Sequence, residues 1–195
     1  NYLIKINKII KRIRLRNKSF SLISSNCNGC IICSDLGLRY NSPFVNLWMK
    51  PKDYLLLLEN LEYYMNLELH FIEEEGISYP IGKLGEVTIY FQHYGSEREA
   101  YNKWNERRKR IDYDNLYIMF SDRDGCTYDD LLAFDRLPYS KKIVFTNKFY
   151  PEIKSSVYIT GFENETAVGI CSEYVGKIFR RRHLEQFDYV KWLNS

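Results

Sequence analysis

Short apolar segments alternate with longer amphipathic segments along most of this 195-residue chain. The apolar segments have the length of strands, and the amphipathic segments repeat their apolar residues at helical spacing. Strands that alternate with helices are typical of an α/β domain. We therefore predict a three-layer α/β/α fold with a mostly parallel or mixed central sheet. The predicted strands are residues 20–24, 67–74, 85–94, 115–121, 141–147 and 156–162, and the predicted helices are residues 29–38, 50–66, 96–111, 127–137 and one or two within 173–194.

The first 18 residues differ from the rest of the chain in charge. They hold seven basic side chains and no acidic one, and they place Tyr2, Ile6, Ile9 and Ile13 at helical spacing. We predict a basic amphipathic helix in residues 1–18 and a single α/β domain in residues 19–195, a length that fits one hydrophobic core. The helix either docks on anionic lipid, where each basic residue contributes about 1 kcal/mol, or is an ordinary first helix whose apolar stripe covers the sheet.

Residues 19–195 carry 21 basic and 25 acidic side chains, which is a net charge of −4. This balance disfavours a nucleic-acid-binding protein, which would present a basic surface to the phosphates. The five cysteines are odd in number and follow no apolar leader, which argues against a secreted disulfide scaffold. No apolar run reaches the roughly 18 residues that a membrane span needs. We expect a cytoplasmic protein with reduced thiols, at the inner face of the membrane if residues 1–18 bind lipid.

In open α/β sheets, ligands bind in the crevice beyond the carboxyl ends of the strands. Four predicted loops begin at such ends, and they are residues 24–27, 92–95, 121–125 and 146–148. We expect the polar side chains of these loops, together with nearby charged residues, to form the functional site.

The first of these loops opens a C-x2-C-x2-C pattern formed by Cys27, Cys30 and Cys33. A closed zinc or iron–sulfur site needs four ligands, so this spacing favours packed thiols over a metal centre. Cys27 is distinct because it lies at the predicted strand-to-helix turn, where backbone N–H groups would lower the pKa of its thiol. With His93 as its base, Cys27 would be the nucleophile of a thiol acyltransferase or hydrolase. The alternative is a small packed turn residue.

Two further clusters carry charge suited to phosphate chemistry. Asp122 and Asp124 follow a predicted strand as D-x-D, and carboxylates at such a position hold Mg²⁺ or Mn²⁺ together with substrate phosphates. A plain turn followed by the helix cap Thr127 explains the same residues. Arg107 and Arg110 near a predicted helix end would clamp a phosphate or a carboxylate. The alternative is a solvated face that complements the helix dipole.

Residues 20–162 resemble a bacterial domain-of-unknown-function family labelled exopolysaccharide biosynthesis protein. The resemblance rests on ordered blocks: SSNC at 24–27, LGLRYNSP at 36–43, HY at 93–94, WNERRKRI at 104–111, LPY at 137–139 and KKIVFT at 141–146. It implies an α/β/α fold and a place in surface-polysaccharide synthesis, but no established reaction. The family block has a cysteine at the position of Cys27, then glycines and an aromatic residue at the positions of Gly29, Cys30 and Cys33. The three-cysteine spacing is therefore not a family ligand set.

Together these observations favour a transferase that uses a phosphate-bearing sugar donor, such as a nucleotide sugar, or a lipid-linked glycan. His93 would be the general base for an acceptor hydroxyl, the arginines would stabilise phosphate charge, and the two aspartates would hold a divalent cation if one is used. Besides the thiol enzyme, the second alternative is a non-catalytic module that docks on the membrane and recruits polysaccharide-assembly enzymes. The residues predicted to surround one crevice are Asn26, Cys27, Asp35, Arg39, Ser42, His93, Arg107, Arg110, Asp122 and Asp124.

Overall fold

The computed structural model describes residues 2–176 and 180–195. Helices and strands are interspersed along these residues. The helices are α1 (Tyr2–Arg14), α2 (Asn28–Leu36), α3 (Pro51–Glu59), α4 (Leu61–Asn66), α5 (Glu97–Arg108), α6 (Tyr128–Arg136) and α7 (Tyr189–Leu193), with a 3-10 helix at His183–Gln186. The strands are β1 (Ser21–Ser24), β2 (His70–Ile72), β3 (Ile81–Leu84), β4 (Val87–Tyr90), β5 (Leu116–Ser121), β6 (Lys142–Thr146), β7 (Ser156–Tyr158), β8 (Tyr174–Val175) and β9 (Arg181–Arg182).

A four-stranded parallel sheet in the order β1-β5-β6-β7 forms the centre of the fold. Its strands alternate side chains between two faces, and each face carries its own hydrophobic core. Ile23, Ile118 and Val144 belong to the core that includes α3 to α6. Leu22 and Tyr117 belong to the core that includes α2 and α7. Helices therefore cover both faces of the sheet, which confirms the predicted three-layer α/β/α fold.

The strands predicted within residues 67–74 and 85–94 form outside this sheet. β2, β3 and β4 make a separate three-stranded antiparallel sheet, and Gly85 adopts a left-handed φ of 57° at the turn between β3 and β4. A tight turn joins antiparallel neighbours only, because parallel strands need a long crossover connection. The alternation in residues 85–94 is therefore that of a hairpin strand, and β4 ends at Tyr90 rather than at Tyr94.

The N-terminal helix packs on the domain through its basic side chains and not through its apolar stripe. Lys8 Nζ lies 2.6 Å from the Asp35 carboxylate of α2, and Lys11 forms an ion pair with the 3-10 helix. Ile9 and Ile13 are instead 52% and 78% exposed. The interpretation in which the apolar stripe of this helix covers the sheet is therefore wrong.

The C-terminal segment contains less helix than the sequence predicts. Within residues 173–194 the structure has the short strands β8 and β9, the 3-10 helix and the five-residue helix α7, and residues 177–179 lie outside the described residues. Asp188 caps α7 by accepting a hydrogen bond from Lys191 N at 3.1 Å. Across the described ranges, none of the helices has both the length and the apolar character needed to cross a membrane.

Candidate functional site

A cavity of about 530 Å³ lies at the carboxyl ends of β1 and β5. The loop after β1, the loop after β5 and the segment after β4 supply half of its wall residues. This volume is within the range of small-molecule binding sites. The residues on the wall are Asn26, Cys27, Asn28, Ile31, Trp48, Tyr79, Gln92, His93, Arg123, Asp124, Ile170 and Ser172.

Four of the predicted site residues lie together on this wall, namely Asn26, Cys27, His93 and Asp124. They come from three of the four loops that the strand-end rule selects. The loop at residues 146–148 does not contribute a wall residue. The structure thus brings these four side chains to one cavity, and their chemical roles stay predictions.

Hydrogen bonds fix the loop between β1 and α2. Asn26 Nδ2 donates to Ser121 Oγ at 2.9 Å, which joins the end of β1 to the end of β5. Asn26 Oδ1 accepts a hydrogen bond from Asn28 N at 3.0 Å. The N-cap of α2 is Cys27 itself, without a side-chain capping bond. Asn26 therefore binds the first backbone N–H of the helix, and both Asn26 and Cys27 are held at the cavity wall.

Residues 46–49 bring the end of the antiparallel sheet to the end of β1. Trp48 and Tyr90 exchange two backbone hydrogen bonds of 2.9 Å, and their rings stack with centroids 4.1 Å apart. His93 N then donates to Asn46 O at 3.4 Å. These contacts place His93, which follows a strand of the smaller sheet, beside a loop of the parallel sheet.

Cys27 Sγ donates to Leu47 O at 3.9 Å, and Cys30 Sγ donates to Cys27 O at 3.2 Å. Interaction with the Cys30 thiol, together with partial burial, raises the pKa of Cys27 well above its ordinary value, and interaction with the Cys27 thiol lowers the pKa of Cys30 to about 7. The prediction that the turn lowers the pKa of the Cys27 thiol is therefore wrong. Within residues 2–176 and 180–195, the Cys27 thiol makes no hydrogen bond to the His93 ring.

The loop after β5 places a cation and an anion on the wall. Asp124 adopts a left-handed φ of 60° and Gly125 one of 85°, and Thr127 then caps α6 as predicted. Arg123 Nη1 donates to Gly169 O at 3.4 Å, which holds the guanidinium against the segment opposite. Partial burial raises the pKa of the Asp124 carboxyl, and the positive charge of Arg123 opposes this rise.

Asp122 points away from this wall. Its two carboxylate oxygens accept hydrogen bonds from Asn147 N at 2.8 Å and from Val168 N at 2.7 Å. Burial raises the pKa of the Asp122 carboxyl, and these bonds oppose the rise. The pair of metal-binding carboxylates predicted from Asp122 and Asp124 is therefore not formed. In the part of the chain that the structure describes, no three His, Cys, Asp or Glu side chains cluster as a metal site.

Comparison with known proteins places the chain among domains of unassigned role. Residues 1–194 match a family described as a domain of unknown function, DUF1919. The chain belongs to the DUF1919 family. It is also 46% identical over 189 residues to a protein of Haemophilus influenzae (strain ATCC 51907 / DSM 11121 / KW20 / Rd) described as uncharacterized, and the alignment covers 97% of this chain and 90% of that protein. These similarities confirm the domain family, and the link to exopolysaccharide synthesis stays a prediction.

Three other residues predicted for the crevice lie elsewhere in the DUF1919 chain. Asp35 is buried on the α1 side of α2, with Lys8 Nζ at 2.6 Å and Arg182 Nε at 3.4 Å. Arg39 and Ser42 border a separate void of about 10 Å³, and Ser42 Oγ donates to a backbone carbonyl of β1 at 2.6 Å. The contacts of Asp35 and Ser42 join α1, α2 and β1 behind the cavity wall, whereas Arg39 is exposed.

The two predicted phosphate-binding arginines of the DUF1919 chain also have protein partners. Arg107 Nη1 donates to the Tyr94 hydroxyl at 2.8 Å, and its guanidinium lies 5.4 Å from the centre of the Tyr40 ring. Arg110 donates to Tyr40 O at 3.2 Å and forms an ion pair with Glu106. Neither side chain lies on the cavity wall.

Sequence reasoning missed several wall residues. Arg123 lies between the two aspartates of the D-x-D segment, close to the end of a predicted strand, and this position could have identified it as a wall residue. Trp48 and Tyr79 come from segments that follow no strand of the parallel sheet, and Ile170 lies well beyond the end of β7. No local pattern marks these three, because only the tertiary fold brings them to this edge.

Proposed function

We propose that the DUF1919 chain binds a phosphate-bearing sugar in this cavity and transfers it during surface-polysaccharide synthesis. The observation that carries the proposal is the composition of the wall. An indole, three side-chain amides, a guanidinium and an imidazole line one cavity of about 530 Å³. Each group suits a different part of a sugar phosphate, whereas an apolar ligand would leave most of them without partners.

Trp48 and the amides suit the sugar. The indole plane is held by stacking on Tyr90, with the two rings inclined by 10°, and gives a rigid surface for the apolar face of a sugar ring. The side chains of Asn26, Asn28 and Gln92 supply both donors and acceptors, as sugar hydroxyls require. Asn26 is already fixed by its bond to β5, so part of this recognition surface is organised before a ligand binds.

Arg123 suits the phosphate. A guanidinium binds phosphate oxygens through two parallel N–H donors, and one donor of Arg123 is already oriented by Gly169 O. Asp124 is the one carboxylate on the described wall. A Mg²⁺ or Mn²⁺ ion bound there would take its remaining ligands from substrate phosphate and water.

His93 suits the acceptor. It is exposed at the cavity rim, where a neutral imidazole removes the proton from an incoming hydroxyl as the sugar is transferred. Cys27 is less suited to act as a nucleophile with His93 as its base, because its thiol donates to Leu47 O at 3.9 Å and, within the described residues, makes no hydrogen bond to the imidazole. The transferase is therefore favoured over the thiol acyltransferase or hydrolase.

Calorimetric titration with a panel of nucleotide sugars, with and without Mn²⁺, tests the binding step. Arg123→Ala should weaken binding roughly tenfold to a hundredfold, the loss expected for one charged hydrogen-bonding group. Arg136→Ala is the matched control, since Arg136 is exposed on α6 and lies off the cavity wall. Equal affinities for the two variants would remove Arg123 from the site.

Release of the nucleotide in the presence of an acceptor glycan tests the transfer step. His93→Ala should abolish turnover and leave donor affinity unchanged, while His70→Ala, an exposed position on β2, should retain activity. If neither nucleotide sugars nor sugars linked to a lipid phosphate bind the intact chain, the transferase proposal fails.

A second candidate function, docking on an anionic membrane surface, is favoured by the exposed side of α1. Tyr2, Ile9 and Ile13 leave apolar side chains in solvent beside the exposed basic residues Lys5 and Arg16. Apolar side chains flanked by cations are typical of helices that lie in a lipid interface. The first proposal places the chain in the cytoplasm, and this one places it at the inner face of the membrane.

Vesicle sedimentation tests the docking function. Ile9→Ser with Ile13→Ser should abolish binding to vesicles that contain phosphatidylserine, and neutral vesicles should bind neither protein. Substitution is cleaner than deletion of residues 1–18, because deletion also removes the ion pairs of Lys8 and Lys11. Unchanged sedimentation of the double variant would exclude docking through α1.

A further inference from the structure

Cys27 and Cys30 differ in exposure although they are close in space. Cys27 lies on the cavity wall and is partly exposed, while Cys30, one helical turn further on, is only 5% exposed. Cys30 Sγ donates to Cys27 O at 3.2 Å and lies 3.5 Å from Asn46 Oδ1. The pair therefore has one thiol that a molecule in the cavity reaches and one thiol behind it.

The backbone of α2 permits a bond between these two sulfurs. Helix geometry puts Cα atoms three residues apart at about 5 Å, which is within the range that disulfides span. Cys27 is the N-cap, so its own N–H is free of the helical ladder and its side chain adjusts easily. Cys30 and Cys33 both lie inside the helix, where the backbone is fixed. Residues three positions apart in a helix keep their Cβ atoms about 5–6 Å apart, which is further than a disulfide requires.

The surroundings of the pair stabilise negative charge on sulfur. The positive charge of Arg107 favours the thiolate of Cys30, and the positive charge of Arg123 favours the thiolate of Cys27. The pKa of Cys30 is lowered to about 7, first by its interaction with the Cys27 thiol. One thiolate is therefore present in the pair near neutral pH.

We propose that Cys27 and Cys30 are a redox-active dithiol that exchanges with small-molecule disulfides entering the cavity. The evidence is the placement of an accessible thiol at the N-cap of α2, on the wall of a cavity of about 530 Å³, with a buried thiol one helical turn behind it. The substrate class is a disulfide of the glutathione type. This inference does not depend on the proposed sugar transfer.

The exchange proceeds in two steps. Cys27 attacks one sulfur of the small disulfide as its proton passes to the Cys30 thiolate; the external S–S bond breaks and one thiolate leaves. Cys30 then gives this proton to a leaving thiolate and attacks Cys27 Sγ, which forms the Cys27–Cys30 bond and releases the second thiolate. The second thiolate takes its proton from solvent. The thiol–thiolate pair is oxidised by two electrons, and one small disulfide is reduced to two thiols.

Equilibration of the reduced full-length chain with mixtures of reduced and oxidised glutathione, followed by alkylation and peptide mapping, tests the proposal. The tryptic peptide of residues 19–39 holds Cys27, Cys30 and Cys33. We expect it to become lighter by two hydrogens and to carry one alkyl group, which fragmentation places on Cys33. Three alkylated thiols at every glutathione ratio, or a bond between Cys30 and Cys33, would overturn the proposal.

Three variants separate the roles of the thiols. Cys30→Ser should accumulate one glutathionyl group on Cys27, because the resolving thiol is missing. Cys27→Ser should remain unmodified, because Cys30 is buried. Cys33→Ser should still form the crosslink. Glutathionylation of Cys30 in the Cys27→Ser chain would show that the order of attack is wrong, and mapping of the unsubstituted chain decides the proposal even if a variant fails to fold.

Discussion

Gly29 sets how closely α2 approaches β1, and Gly29→Ala should move the cavity wall. A Cβ at this position would lie 2.7 Å from Ser24 Cβ and 3.3 Å from Leu22 Cγ, while ordinary contacts begin near 3.4 Å. The nearest contact must therefore lengthen by about 0.7 Å, from 2.7 to 3.4 Å. Ser24 Cβ is fixed to the backbone of β1, so the start of α2 has to move and carries Asn26 and Cys27 with it.

Two effects of opposite sign decide the magnitude. Overpacking in a filled core costs about 1–3 kcal/mol, and alanine in place of glycine in a helix stabilises by up to about 1 kcal/mol. We expect a net loss of about 1–2 kcal/mol, which lowers Tm by about 2–8 °C in a chain of this length. Thermal unfolding followed by circular dichroism measures this change.

A matched glycine and a compensating change make the experiment specific. Gly95→Ala should leave Tm unchanged, because a Cβ there meets only the Glu99 carboxylate, at 3.6 Å. Adding Ser24→Gly to Gly29→Ala should cancel most of the packing loss, since it removes the atom that clashes; the Ser24 hydroxyl has no partner among the described residues. Additive effects of the two substitutions, or a Gly29→Ala chain as stable as the original, would refute the packing argument.

Three further predictions concern buried polar groups. Asp35→Ala should cost about 2–3 kcal/mol in denaturant unfolding, since it leaves two cations without their buried partner. Glu106→Ala, which breaks an exposed pair, should change the free energy of unfolding much less, and equal losses would contradict this. Asp122→Ala should cost about 2–5 kcal/mol in the same assay, because two buried N–H groups lose their acceptor, and a loss under about 1 kcal/mol would mean that water replaces the carboxylate. Cys27→Ala should raise the pKa of Cys30 from about 7 toward its ordinary value, since the Cys30 thiolate loses its interaction with the Cys27 thiol. The ultraviolet absorbance of the thiolate against pH measures this pKa. An unchanged titration would show that the Cys27 thiol does not lower the pKa of Cys30.

The layered fold was predictable because its signals are local. The run of apolar residues in β5 and β6 and the capping box that begins α6 each depend on neighbouring residues only. The same local signal misled at residues 85–94, where alternation is equally consistent with an edge of the main sheet and with a hairpin. At α1, helical spacing predicted the helix but not which side faces the protein, because that depends on Asp35 far along the chain.

The cavity depends on contacts that no local pattern encodes. The strand-end rule selected the loops after β1 and β5, because parallel strands present their carboxyl ends at one edge. It does not apply to His93, which follows an antiparallel strand and reaches the cavity only because residues 46–49 pair with the end of β4. The rule also ignores side-chain direction. Asp122 and Asp124 are two residues apart, yet backbone N–H groups take both oxygens of the first and a left-handed φ leaves the second at the wall. A strand-end side chain can therefore be assigned as a ligand only when it is known whether backbone N–H groups already occupy its oxygens.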